Sequence, residues 1–226
     1  MKKNSWIFLF IAIFLADLTG IRIGNQTIQD ICKPLLMIVL LAYFIVQTRS
    51  CTTALKKWIA AALLFSWVGD VMLMFQEKKS LFFLLGLSAF LIAHTFYIIF
   101  FHGIRIREKI KSNLWLLLIV VTYYAVLITF LSPHLGTMKL PVRVYGIVIS
   151  FMLMLAMHML FLKNKKPGWW MSTGALSFVI SDSLLAINKF YQPFESAGLI
   201  IMVTYGLAQL FITRGAISYL TSTTKQ

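Results

Sequence analysis

The sequence predicts an all-α polytopic membrane protein: a helix bundle with about eight transmembrane helices, forming a single integral membrane domain over residues 1–226. Three observations carry this reading. First, 60% of residues are hydrophobic, 12% are charged, and the mean hydropathy is +0.85. A soluble domain of this length cannot bury that much apolar surface, because the buried fraction is limited by size. Second, the apolar residues come in continuous runs about as long as the roughly 20 residues a spanning helix needs. Spanning strands would instead alternate over about ten residues. Third, the prolines fall where helices tolerate them. Pro133, Pro141, Pro167 and Pro193 lie in connections, and Pro34 falls in the first turn of the second run.

Eight segments follow, at roughly 5–21, 31–47, 57–75, 81–102, 113–131, 142–162, 169–188 and 195–214. The first begins "MKKNSWIFLF" and has the look of a signal peptide, but no small-x-small cleavage site follows the run, so it is expected to stay as the first helix. The second holds Cys32 near one end, with Cys51 just past the other. At helical rise they lie roughly 28 Å apart and cannot bridge. The sixth contains "FMLMLAMHML", whose methionines are expected to pack around His158 rather than hold a metal, since no convergent ligand set is visible.

The formal charge is +14, from 21 Lys and Arg against seven acids. There is no polar domain on which a basic stripe could read nucleic acid, so that partner is excluded. The cations cluster between runs, as topology signals do. With eight spans, fourteen of them fall on the side shared by the termini and seven on the other. The expected location is therefore the plasma (inner) membrane, with both termini cytoplasmic and membrane lipids as the surroundings. Trp6, Trp58, Trp115, Trp169 and Trp170 lie near segment ends, as an aromatic belt requires.

An internal spacing recurs. Asp70 precedes Gly86-Leu87 by sixteen residues, and Asp182 precedes Gly198-Leu199 by the same number. An offset of 112 residues superposes segments 1–4 on 5–8, the pattern of a parallel duplication of four helices.

Asp17, Asp70 and Asp182 interrupt apolar runs. An acid at the centre of a membrane helix costs about 2.5–3.5 kcal/mol or more, and it marks a functional candidate. Asp70 and Asp182 each lie about thirteen residues into their segments, hence at one depth beyond the midplane. Two neighbouring carboxyls would suit paired acid–base chemistry. Intramembrane acids equally relay protons in transporters or lock helices together. Ser66 shares a helix face with Asp70, and Gly69 permits close helix approach. In "SDSLLAINKF", Ser181 neighbours Asp182, and Lys189 lies two turns on, where it can hold a phosphate or snorkel to the headgroup level. Lys33 and Asn188 sit near the same level. His94 and Tyr97 mark the fourth segment, and Tyr205 and Gln209 share a face in the eighth.

At these residues the chain resembles the YhhN family of membrane lysoplasmalogenases. The blocks are "KPLLM" (33–37), "SWVGDVMLM" (66–74), "GLSAFLIAHTFY" (86–97), "GALSFVISDSLLAINKF" (174–190) and "TYGLAQLFI" (204–212). The resemblance implies hydrolysis of the vinyl ether of a lysoplasmalogen, a lysophospholipid drawn from the bilayer. The products are a fatty aldehyde and glycerophospho-ethanolamine or -choline. It implies Asp70 and Asp182 as the catalytic pair and no metal or organic cofactor. Lys33, Ser66, His94, Tyr97, Ser181, Asn188, Lys189, Tyr205 and Gln209 are the expected substrate contacts. The competing readings are a small proton-coupled lipid or solute transporter using the same aspartates, a hydrolase of another lipid ether or ester, and a non-catalytic protein whose acids lock helices.

Overall fold

The computed structural model describes residues 3–223. Lys2 and Lys225, both counted in the charge asymmetry, lie outside the described residues. Among the described residues the chain is all-helical, with eight helices long and apolar enough to cross a membrane. They are α1 (Lys3–Arg22), α2 (Gln26–Gln47), α3 (Lys56–Met74), α4 (Ser80–Arg107), α5 (Leu114–Leu131), α6 (Lys139–His158), α7 (Lys165–Ala186) and α8 (Ala197–Thr223).

Polar starts set several boundaries. Asn25 caps α2, Asn113 caps α5 and Asn164 caps α7, each side chain accepting from an amide in the first turn. An Asn in this position satisfies a donor the helix itself leaves open. The cap on Asn25 corrects one expectation. Helix α2 begins at Gln26, before the apolar run, so Pro34 lies inside the helix rather than in its first turn. Its missing amide leaves the Asp30 carbonyl without the usual intrahelical donor. At the end of α7, Ile187–Tyr191 widens into a π turn closed by Gln192 N–H on the Ile187 carbonyl at 3.1 Å.

The helix boundaries recur at the offset read from the aspartates. Moved by 112 residues, Lys3–Arg22 falls on 115–134, against α5 and its 3₁₀ extension to His134. Gln26–Gln47 falls on 138–159, against Lys139–His158, and Lys56–Met74 on 168–186, against Lys165–Ala186.

The chain forms two compact units. One comprises residues up to Phe96 and from Ala216 onward; the other runs from Tyr97 to Gly215. In the first unit α1 packs on α2 and α2 on α3. Helices α3 and α4 close on each other at glycines: a Cβ on Gly69 would lie 2.7 Å from the Phe90 ring, and one on Gly86 2.7 Å from Leu73. In the second unit α5 packs on α6 and α6 on α7. There α7 meets α8 at Gly174, whose Cβ would lie 2.8 Å from the Ile212 amide nitrogen. Small residues at such crossings are how membrane helices gain van der Waals contact without a hydrophobic driving force.

Candidate active site

In the first unit, Ser66 and Asp70 stand one turn apart on α3, and both are buried. Gly69 sets their depth, because its missing side chain lets Phe90 of α4 lie directly on the helix. His94 follows Phe90 by one turn on α4 and is also buried. The Ser66 hydroxyl has no hydrogen-bond partner among the described residues. Several serines and threonines elsewhere donate to the carbonyl four residues back, as Ser88 does at 2.8 Å and Thr95 at 2.9 Å, whereas Ser150 and Thr213 are, like Ser66, buried without a partner among the described residues. Lys33 is half-buried on α2, and Asp17 is buried on α1, the helix that packs against it. Both carboxylate oxygens of Asp17 lack a hydrogen-bond partner among the described residues.

In the second unit, consecutive residues of α7 face different helices, since each step turns the helix by about 100°. The Ser181 hydroxyl donates to the Ile201 carbonyl of α8 at 3.0 Å. Asp182 accepts a hydrogen bond from the Tyr145 hydroxyl of α6 on Oδ2. Beside it, the hydroxyls of Tyr123 on α5 and Ser183 on α7 are hydrogen-bonded at 2.7 Å. Asp182 is therefore half-buried at a junction of three helices, with two tyrosines around it. A narrow cavity of about 40 Å³ opens there, lined by α5, α6 and α7 and almost wholly apolar apart from this polar group.

Tyr97, Tyr205 and Gln209 form a second polar chain in this unit. The Tyr97 hydroxyl donates to Gln209 Oε1 at 2.6 Å, and Gln209 Nε2 reaches the Tyr205 hydroxyl at 3.4 Å. Phe178 of α7 stands edge-on to Tyr205, with centroids 5.5 Å apart. Asn188 and Lys189 lie in the π turn. Asn188 Oδ1 accepts from the Phe194 amide at 3.3 Å and so ties down the connection to α8, while Lys189 is exposed. His158 sits away from these groups in a packing role. Its Nε2 accepts from the Asn113 amide at 3.2 Å, which leaves Nδ1–H for the Met154 carbonyl at 2.8 Å.

Sequence reasoning missed Tyr123 and Tyr145, which stand beside Asp182. A signal was present: the 112-residue offset that pairs Asp70 with Asp182 also pairs Lys33 with position 145.

Comparison with known proteins bears on what this arrangement does. The sequence profile of the YhhN family matches residues 28–216, a span that contains both Asp70 and Asp182. A rat protein named lysoplasmalogenase TMEM86B is 32% identical over 186 residues, which is 82% of this chain and 71% of its own length. The human protein of the same name is 34% identical over 161 residues, 70% of this chain and 63% of its own. A Mycobacterium bovis lysoplasmalogenase is 30% identical over 163 residues, 71% of this chain and 60% of its own. The matched stretch thus spans between 60% and 71% of these relatives. No solved structure matches the chain.

Proposed function

The chain belongs to the YhhN family, and from that membership we propose that it is a membrane lysoplasmalogenase. It hydrolyses the vinyl ether of lysoplasmenyl-ethanolamine or -choline to a fatty aldehyde and the glycerophospho-alcohol. The observation that carries the reading is the naming of relatives from mammals and mycobacteria as lysoplasmalogenases over at least 70% of this chain.

The chemistry suits two carboxyls. A vinyl ether is opened by protonating the vinyl carbon farther from oxygen, which leaves an oxocarbenium ion. A neutral carboxyl supplies that proton. An ionised one stabilises the cation and takes a proton from the water that adds to it. The resulting hemiacetal collapses to aldehyde and alcohol. Glycoside hydrolysis follows the same logic through a like transition state. Asp70 and Asp182 are the two carboxyls. Ser66 supports the assignment, because its buried hydroxyl is not spent on its own helix. Ser66, His94, Tyr97, Tyr205 and Gln209 contact the substrate, Ser181 and Asn188 hold the backbone around it, and Lys33 and Lys189 serve the headgroup level.

The chain is an integral membrane protein. It acts as one membrane domain, and the two-to-one split of its cations supports cytoplasmic termini in the plasma (inner) membrane. A reporter active only in the cytoplasm, fused after Gln226, should be active; a periplasmic reporter at the same place should be silent. Aldehyde release from a lysoplasmenylethanolamine by purified protein tests the activity itself.

A further inference from the structure

At the end of the second unit where α4 stops and α5 begins, two connections build a basic cleft. Lys109, Lys111 and Lys163 line it, with Glu108 as the one acid among its lining residues. All three lysines are exposed. The cleft holds about 490 Å³, within the range of pockets that take small ligands. Asp182 lies seventeen residues along α7 from Lys165, roughly 26 Å at helical rise, so the cleft is separate from that carboxyl.

Hydrogen bonds fix the shape of both walls. Helix α4 ends in a paired turn, with the Ile110 amide donating to the Arg105 carbonyl at 3.0 Å and the Lys109 amide to the Ile106 carbonyl at 3.1 Å. The turn sets Lys109 at φ +52°, a left-handed position that glycine usually fills. Arg105 folds over the loop, its Nε donating to the Ile110 carbonyl at 3.3 Å and its Nη2 to the Ser112 hydroxyl. The Asn113 amide donates to His158 Nε2 at 3.2 Å and ties the loop to the end of α6. On the facing wall Asn164 caps α7, and Lys165 Nζ donates to the Leu160 carbonyl at 2.9 Å. Arg105 and Lys165 thus serve the framework, and the cleft itself is left to the other three lysines. A ligand that binds there meets walls already ordered, which lowers the entropy cost.

Charge and apolar surface together define the ligand. Three cations against one acid favour an anion, and the positive end of the α5 dipole adds to them, since Asn113 and Leu114 also line the cleft. The same walls carry exposed Phe161 and Leu114. Leu114 is followed at i+4 and i+7 by Leu118 and Val121, both exposed, so an apolar stripe leads from the cleft along α5. A small soluble anion gains nothing from that stripe. A phospholipid fills both parts, phosphate in the cleft and chain along the helix. We propose that the cleft binds the headgroup of an anionic glycerophospholipid, one whose phosphate charge is not balanced by choline or ethanolamine, as a bound lipid distinct from any substrate. Basic pockets between membrane helices take such headgroups.

The test titrates the full chain, purified in neutral detergent, with dioleoyl phosphatidylglycerol and dioleoyl phosphatidylcholine, and reads bound lipid by native mass spectrometry. Phosphatidylglycerol should bind roughly a hundredfold more tightly, at about fivefold per lysine. Lys109→Gln, Lys111→Gln and Lys163→Gln together should erase the preference. The same change at three other exposed lysines, Lys78→Gln, Lys79→Gln and Lys139→Gln, should leave it intact. Leu114→Ser with Leu118→Ser should weaken the dioleoyl lipid and spare the dihexanoyl one. Added salt should shrink the preference, and inorganic phosphate at equal concentration should not displace the lipid. Equal affinity for the two lipids, equal loss from the two triple variants, dioleoyl binding indifferent to the leucines, or displacement by inorganic phosphate overturns the lipid site; the last would make it a pocket for a free anion.

Discussion

Tyr145 donates its hydroxyl proton to Oδ2 of Asp182 across the α6–α7 contact. An oriented hydrogen bond helps to hold a carboxyl's plane. Tyr145→Phe keeps the ring and removes the hydroxyl that makes this one. It should lower kcat roughly 10- to 100-fold, the worth of one hydrogen bond to a charged group, with KM little changed. Single-turnover aldehyde release beside a thermal melt checks this. A fall in KM-limited rate alone, or a lost fold, speaks against a positioning role.

Tyr97 and Gln209, hydrogen-bonded at 2.6 Å, link α4 to α8 inside the second unit. Tyr97→Phe leaves a buried amide oxygen without its donor. A double-mutant cycle with Gln209→Leu should give a coupling of about 0.6 kcal/mol, the average for hydrogen bonds between membrane helices, and no more than about 1.7 kcal/mol. The readout is unfolding in mixed micelles, and a coupling near zero removes the pair as a structural link.

Gly174 has no room for a methyl group, because the contacts its Cβ would make are to the Ile212 amide nitrogen at 2.8 Å and the Ala208 carbonyl at 2.9 Å. Backbone cannot step aside as a side chain can. Gly174→Ala should therefore destabilise by about 1–3 kcal/mol, as overpacking does. Gly146→Ala should cost less, because its neighbour is the edge of the Tyr124 ring at 3.0 Å. Equal melting points for the two variants would contradict the close α7–α8 approach.

Asp17 is buried on α1, and neither oxygen has a hydrogen-bond partner among the described residues. A buried polar group without a hydrogen bond costs about 1–3 kcal/mol. Asp17→Leu should accordingly raise the melting temperature. A lowered one would mean that the Lys33 charge compensates the carboxylate in full.

The eight helices were legible because a run of about twenty apolar residues has few other fates. Their ends were less so. Helix α4 runs to Arg107 and α8 to Thr223, beyond the expected ends at 102 and 214, because polar side chains leave the bilayer before the backbone stops being helical. The polar turn Gln26–Asp30 hid the true start of α2 and with it the interior position of Pro34. The π turn after α7 has no hydropathy signature at all. Of the candidate site, the acids were legible because a carboxyl in an apolar run is costly. The glycine beside Asp70 was legible for the same reason in reverse, as an absence of bulk, and Phe90 now occupies that space. Tyr123 and Tyr145 were not, because a tyrosine in a membrane helix reads as packing until its hydroxyl is seen to have a partner.

The most direct measurement is aldehyde release by the purified chain from a lysoplasmenylethanolamine, with an ester lysophospholipid as control and Asp70→Asn and Asp182→Asn beside it. The account predicts aldehyde from the vinyl ether alone, and its loss in both variants while their melting curves stay near that of the native chain. Well-folded native protein that releases no aldehyde, or an Asp182→Asn variant that turns over normally, would contradict it. The first result would bring proton-coupled transport forward as the use of these acids.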